Sequence, residues 1–525
     1  MDWTRVPVVV GAGQLTNREE DPSAAPDPFE LMEDAARRAV ADIGGVSSSG
    51  SAGNGTGPGS VLSDLTHLFM VHSLSLRHGD PAPELARRLG ATGAEARCSG
   101  MGGSIPQWLV NRAAELVSDG GRPRVLIVGA EALATRRRAK KQGVDLQWPT
   151  SDGWPDTWPP LEPDMGLHPV EGAHGLAQAT TMYALVESAV AHGAGHDPAT
   201  HRAAIGDLMA RFNAVAADNP VSWFPTRRDA EQIMTVTPDN RMVYFPYPKY
   251  VNAVMDVDMA AAVIVTDAAT ARSWGLGADE VAYLSGWADA HDLWYLSERP
   301  VLHRSPALAE CARRALGSAG ITMDEVEGLD LYACFPSSVE VARDSFDIAP
   351  DDPRPLTLTG GLPYHGGPGS NYVTHSIANT FGWLRDGRGE HALVHGNGYY
   401  LTKHSVGLYS RHAPEEAPRP PEKLQETVDA MADALEVEAS VGTAGTSGTA
   451  GTSGTAGTSG TVVAYTAPFD RERGPQAAIG LVDVAGRRTV ARADEALTTE
   501  LLSRDGVGTR VVVSSSDQGN TMRGG

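Results

Sequence analysis

Hydrophobic positions along most of the chain fall into two alternating periods. Arg5–Gly13 reads RVPVVVGAG, a continuous apolar run of the kind a buried strand requires. DPFELMEDAARRAVADIG then carries apolar residues at helical spacing, with an Asp before it and a Gly behind, and predicts an amphipathic helix. The switching recurs in LTHLFMVH (strand), IPQWLVNRAAELVSDGG (helix) and RVLIVGAEAL (strand). Much later come VAYLSGWAD, ALAECARRALGSAG, GLDLYACF, NYVTHSIANTFGWLRDG and HALVHGNGYY, again strand, helix, strand, helix, strand. Such alternation predicts an α/β fold with largely parallel sheets.

The pattern changes near the end. Residues 442–459 read GTAGTS three times, after a Pro- and Glu-rich stretch over 412–438. Small residues at that density cannot build a core, so 412–461 reads as a linker. Beyond it, TVVAYTAPFD, AAIGLVDV, RRTVARAD and TRVVVSSS are short β-branched runs separated by turn residues. They predict a small antiparallel OB-like β-barrel over 462–525. A second Gly/Ser-rich tract, 47–60, reads as an inserted surface loop.

The two α/β series resemble each other. Asp34-Ala-Ala-Arg-Arg-Ala-Val matches Glu310-Cys-Ala-Arg-Arg-Ala-Leu, and Leu65-Thr-His-Leu-Phe answers Leu329-Asp-Leu-Tyr-Ala. Gly102-Gly103 answers Gly366-Gly367, and Gly129-Ala-Glu answers Gly396-Asn-Gly, in one order and at nearly one offset. A tandem duplication is the economical reading, with halves over 1–272 and 273–411 and a loop insertion at about 134–200 in the first.

Composition narrows the function classes. Against 43 Lys+Arg stand 65 Asp+Glu, a formal charge of −22, which argues against nucleic acid as a partner. No apolar run is long enough to span a bilayer. The start, Met-Asp-Trp-Thr-Arg, reads as neither a secretory signal nor a transit peptide. Three scattered cysteines (Cys98, Cys311, Cys334) make no metal pattern and no disulfide framework, so a cytoplasmic location is expected. No metal or redox cofactor is indicated.

At VVVGAG, MDVDMAAAVIVTD, YACF, GGLPYHGGPG and HGNG the chain resembles the thiolase superfamily over about residues 1–411. YACF is similar to that family's NEAF or HDCF box, closest to the sterol-carrier type; GGLPYHGGPG is similar to its GGxxxxGHPxG box, and HGNG to its CxG box. The combination of GGSIPQWLVNRAA, CFPSSVE, GGLPYHGGPGSNY and HGNGYYLTKH is similar to a branch often labelled acetyl-CoA acetyltransferase, which carries a β-barrel tail. The resemblance implies a duplicated, five-layered α/β/α/β/α sandwich and an acyl-CoA substrate, with coenzyme A as part of that substrate and either a monomer or a homodimer.

The resemblance also implies a Cys nucleophile at a helix N-terminus, a His, a second Cys and an Asn or His. Here Gly102-Gly103-Ser104 precede the helix, Gly367 stands for the His, His395 for the second Cys and Tyr332 for the Asn. A Cys-dependent acyl transfer is therefore not expected; C–C chemistry such as retro-aldol cleavage, or an inactive binding module, are the two readings. Tyrosines serve as acid/base groups in thiolase-fold aldolases, which makes Tyr332, with Tyr364 or Tyr372, a candidate for proton transfer or else a packed core residue. His365 and His395 could polarise a thioester oxygen or simply hold a loop. Gly102, Gly103, Ser104, Gly366 and Gly367 precede helices and could receive an oxyanion or phosphate, or serve close packing. Asn397 and Gly398 could form an oxyanion hole or a tight turn. The basic run Arg136–Lys141 could meet CoA phosphates or be a solvated face, and Trp148, Trp154 and Trp158 could cap an acyl pocket or cover a dimer surface.

Overall fold

The computed structural model describes residues 1–45, 58–441 and 457–525. Most of the Gly/Ser tract at 47–60 and of the GTAGTS repeat lies outside the described residues. Nine strands form the main sheet: β1 (Pro7–Thr16), β2 (His67–Met70), β3 (Glu95–Cys98), β4 (Arg124–Ala132), β5 (Asp258–Asp267), β6 (Ala282–His291), β7 (Gly328–Asp330), β8 (His391–Gly398) and β9 (Lys403–Ser410). Their order is β3-β2-β4-β5-β1-β6-β9-β8-β7. The halves meet where Val8 and Val9 of β1 pair antiparallel with Tyr283 and Ala282 of β6. The sheet is mixed: β2 runs parallel to β3 and β4, whereas β5 is antiparallel to both β1 and β4.

Helices α1 (Pro28–Gly45), α2 (Ile105–Ser118), α3 (Leu133–Gln142), α4 (Ala179–Gly193), α5 (Pro198–Asp218), α6 (Pro306–Ala319), α7 (Pro336–Ser345) and α8 (Tyr372–Arg385) complete the core. α2 and α8 each touch strands of both halves and form the middle layer, while α1 covers the first half and α6 the second from outside. The five-layer sandwich is therefore present. Strand alternation explains the layering: Leu126 and Val128 of β4 join α1 in one apolar cluster, and Val125 and Ile127 face α2 in the other. The glycine of VVVGAG has a steric role, since a Cβ on Gly11 would sit 2.3 Å from the Ala39 carbonyl of α1. Gly286 of β6 repeats this against Ala315 of α6, at 2.0 Å, so the duplication extends to the helix–strand approach.

The barrel strands are β10 (Thr458–Thr466), β11 (Ile479–Val484), β12 (Arg487–Ala493), β13 (Arg510–Ser516) and β14 (Gly519–Gly524), with α9 (Glu495–Ser503) between β12 and β13. They close in the order β10-β11-β12-β14-β13. One pair, β12 with β14, is parallel rather than antiparallel, because α9 carries the chain across before β13. The barrel docks on its own chain: Tyr465 N donates to Ser188 Oγ of α4 (2.8 Å), Phe245 N to Ala467 O (2.9 Å) and Asn520 N to His174 Nε2 (2.8 Å).

Candidate functional site

The site is built where α2 starts. Gly102-Gly103-Ser104 lead into this helix, with Pro106 in its first turn, where a missing N–H costs nothing. Gly102 N donates to Ser370 Oγ at 3.0 Å. The Gly103 and Ser104 N–H groups meet no acceptor among the described residues, and Ser104 makes no side-chain cap bond. They stand at the positive end of the helix dipole. Tyr332 closes one side, its ring lying so near Gly103 that a Cβ there would be 2.2 Å from Oη. Gly396 and Gly398 of β8 close the other, with Cβ positions 2.9 Å from Ser104 Cα and 2.7 Å from Ser104 Oγ.

Around this nucleus the polar groups are fixed. Ser338, in the first turn of α7, donates to the Tyr332 carbonyl at 2.7 Å. Asn397 Nδ2 donates to Tyr183 Oη (2.7 Å) and Ser338 Oγ (3.3 Å), and Tyr183 Oη donates to Tyr399 O (3.0 Å). Buried Arg299 holds the β8–β9 turn through Tyr400 O, Leu401 O and Thr402 Oγ1. Tyr332 is 7% exposed and packs edge-on to Tyr372, and Oη has no hydrogen-bond partner among the described residues. Burial raises the Tyr332, Tyr183 and Tyr372 phenols well above their ordinary range. These groups are neutral donors at physiological pH.

The structure thus brings Gly102, Gly103, Ser104, Tyr332 and Gly398 together, with Asn397 one contact behind through Ser338. It does not bring the histidines there. His395 lies on the face of β8 opposite Gly396, its Nε2 3.2 Å from His404 Nδ1, and His404 Nε2 in turn meets Asp292 Oδ2 (3.2 Å) and Ser305 Oγ (3.1 Å). His365 is fully buried, bonds Ser222 Oγ through Nδ1 (3.2 Å), and is separated from Tyr332 by the Tyr372 ring. Burial holds its imidazole down to about 3. Gly366 and Gly367 pack near Met259 and Val254, where Gly367 N donates to Val254 O at 2.8 Å. Sequence reasoning missed Tyr183 and Arg299, which carry no motif, and assigned no role to Ser338, although CFPSSVE contains it.

No cysteine is placed or activated as a nucleophile. Cys98 ends β3, Cys334 follows Tyr332, and burial pushes both thiols up to about 12; burial raises Cys311 as well. Cys98 lines a cavity of about 540 Å³ with Met70, His72, Leu76, Pro81 and Trp154. Trp154 stacks on His72. Trp158 packs on Trp108 and Phe69, while Trp158 N bonds Cys98 O at 2.9 Å and Thr157 bridges to Cys98, so the insertion meets the C-terminal end of β3. Within Arg136–Lys141, Arg137 pairs with Asp256 and Arg138 with Asp258, tying α3 to the start of β5.

The duplicated five-layer core with a site at the start of its middle helix defines a protein of the thiolase superfamily. The chain is 30% identical to a monomeric SCP2-thiolase-like protein type 1 from Mycobacterium smegmatis, over 99% of both chains with a TM-score of 0.78. It belongs to that superfamily and stands with the SCP2-thiolase-like proteins. Its fold is also similar to an Ltp2–ChsH2(DUF35) aldolase, 16% identical over 78% of this chain and 98% of that one with a TM-score of 0.55. Human mitochondrial 3-ketoacyl-CoA thiolase in complex with CoA is 14% identical over 78% of this chain and 98% of that one, at a TM-score of 0.52. No protein-family model matches the sequence, and no curated protein matches it. No helix among the described residues is long and apolar enough to cross a membrane.

Proposed function

We propose that the protein is an acyl-CoA-utilising enzyme, nominally an acyltransferase, that works without a thiolate and makes or breaks a C–C bond by retro-aldol chemistry. The observation that carries this reading is the unpartnered Tyr332 phenol facing Gly103 beside the free N–H groups of Gly103 and Ser104. In a retro-aldol step the substrate hydroxyl gives its proton to solvent water, the C–C bond breaks to a carbonyl product, and the bonding electrons become the enolate of the acyl-CoA, whose α-carbon takes a proton back from water, so the step is redox-neutral. Neutral Tyr332 and the two N–H groups would donate to the thioester oxygen as that charge develops. The similarity to an aldolase and to a CoA-bound thiolase supports the substrate class. Of the two expected states, monomer or homodimer, the monomer is the accompanying reading, supported by the contact of Thr157 and Trp158 with the end of β3.

One observation favours a second reading, a catalytically inactive acyl-CoA or protein-binding module. Neither a histidine nor a carboxylate hydrogen-bonds to Tyr332, and His395 and His365 stand apart from it. Calorimetric titration with CoA and 3-hydroxyacyl-CoAs, followed by turnover of the same compounds by wild type and Tyr332→Phe, separates the two. The enzyme reading expects saturable binding and a loss of about 10²-fold or more in kcat for the Phe variant, the usual scale of an oxyanion donor. Binding with no turnover would leave the module; no binding at all would sink the acyl-CoA assignment.

A further inference from the structure

We propose that Glu187, His201 and Glu340 bind one divalent transition-metal ion at the junction between the core and the barrel. Glu187 projects from α4, His201 from the first turn of α5 and Glu340 from α7. All three are buried, at 0%, 3% and 4% exposure. One potential ligand atom from each lies within 4.8 Å of the other two.

Charge makes this cluster unlike an ordinary buried hydrogen-bond network. Two carboxylates share an interior site and need compensating positive charge or a shared proton. His201 Nε2 meets Glu187 Oε1 at 2.5 Å and can supply at most one charge, while its Nδ1 faces His196 Nδ1 at 3.3 Å. Arg343, on the helix of Glu340, is engaged with Asp344 at 2.9 Å. Tyr247 Oη donates to the second oxygen of Glu187. Among the described residues, Glu340 Oε2 is fully buried and receives no N–H or hydroxyl donor; its carboxyl lies against Glu187, the one group within hydrogen-bond reach of it, and an ion would take the place of the proton the two would otherwise share.

The donor set, two carboxylate oxygens and one imidazole nitrogen without a thiolate, suits Zn(II) or Mn(II). Ligand atoms around such ions stand more than about 3 Å apart at metal–ligand distances near 2.0–2.2 Å, so the Glu187–His201 hydrogen bond would open around the ion. A cavity of about 20 Å³ borders Glu187 and His201, enough for one water as a further ligand. Half-exposed His196, Pro198 and Asp505 also line it and give a route in from the surface. The bound ion would link α7, whose Ser338 supports Tyr332, to α4, whose Ser188 receives the barrel at Tyr465.

The test uses untagged full-length protein, stripped with chelator, equilibrated separately with Zn(II) and Mn(II), desalted and measured for metal by mass spectrometry. The expected result is about one ion per chain with either or both metals, a melting temperature raised by at least ~2 °C and restored to the apo value by chelator. Glu340→Gln keeps the shape of the side chain and removes one ligand, and His201→Asn removes another; each should cut retained metal to below ~0.2 per chain. Far-UV circular dichroism confirms that Glu340→Gln is folded. Wild type retaining less than ~0.2 ion and showing no melting shift with either metal would overturn the proposal, leaving a proton shared between the carboxylates. So would Glu340→Gln holding metal as well as wild type.

Discussion

Gly103→Ala isolates the contact on which the candidate site rests. Gly103 does not occupy the left-handed region, so alanine brings no backbone strain there. The added methyl would instead lie 2.2 Å from Tyr332 Oη, 2.3 Å from Cζ and 2.5 Å from Cε2. Ordinary carbon contacts are near 3.5 Å, so the ring must retreat by roughly 1 Å. It has little room, being held by Ser338 at its carbonyl and by Tyr372 at its edge. Overpacking of this kind costs about 1–3 kcal/mol. Tyr332→Ala alone removes a buried aromatic ring and costs about 3–5 kcal/mol by analogy with buried Phe. In that background the space is already empty, and Gly103→Ala should cost less than about 0.5 kcal/mol. The double mutant is therefore predicted to be more stable than the sum of the single effects by about 1–3 kcal/mol. Urea unfolding of the four proteins, followed by far-UV circular dichroism, measures that coupling. Single effects that add to within about 0.5 kcal/mol would refute the placement of the ring over Gly103.

Three further outcomes follow from the same structure. With Cys98 and Cys334 pushed up to about 12 and Cys311 also raised by burial, all three thiols should be inert to a disulfide reagent at pH 8 in the native protein and titrate only in denaturant; rapid native reaction of any one would reopen a thiolate mechanism. Trp158→Ala keeps the backbone bond to Cys98 but strips the apolar cover from Trp108 and Phe69, so light scattering should show self-association through that surface, and a variant with the mass and stability of wild type would count against the covering role. The third concerns acid. Burial holds His365 down to about 3 and also lowers His375 and His395, so the unfolded chain alone takes up protons once pH drops below about 6.5. Stability should fall on acidification through that window, by up to about 1.4 kcal/mol per pH unit per histidine, and His365→Asn should flatten the slope; a urea midpoint constant from pH 7 to 5 would contradict it.

What could be read from sequence divides along physical lines. Strand and helix periods, the Asp and Gly boundaries of the first helix and the repeated Ala-Arg-Arg segments are local patterns, and they led to the duplicated α/β core. The glycines before α2 were visible as a motif, and so was Tyr332, because both sit at element ends where the chain leaves the sheet. Side-chain direction was not. His395 and Gly396 are neighbours in sequence, and the pleat of β8 sends one to His404 and the other to Ser104. Tyr183 and Arg299 come from distant segments with no local signature, and Ser338, though inside CFPSSVE, shows its role only once α7 turns it back to the Tyr332 carbonyl. The parallel β12–β14 pair was missed for a similar reason: alternating strand patterns give the face of a residue but not the neighbour across the ladder.

The insertion after α3 ties these findings together. An exposed β3 edge would offer unpaired backbone groups to a second chain. Here Trp158 N of the same chain takes the Cys98 carbonyl at the end of that edge, and the Trp158 ring covers the apolar ground between Phe69 and Trp108. The same segment continues past Gly100, where a Cβ would lie 2.9 Å from Pro159 O, and reaches Tyr399 and Thr402 beside Gly166. One loop therefore both meets the end of β3 and lies against Gly100 and the Tyr399–Thr402 turn, a position from which it would roof the residues beside Gly398. If the protein is an enzyme, access to Tyr332 depends on that roof, so substitutions at Trp158 should change substrate affinity together with oligomeric state. A change in association alone would mean that the roof and the edge cover are independent.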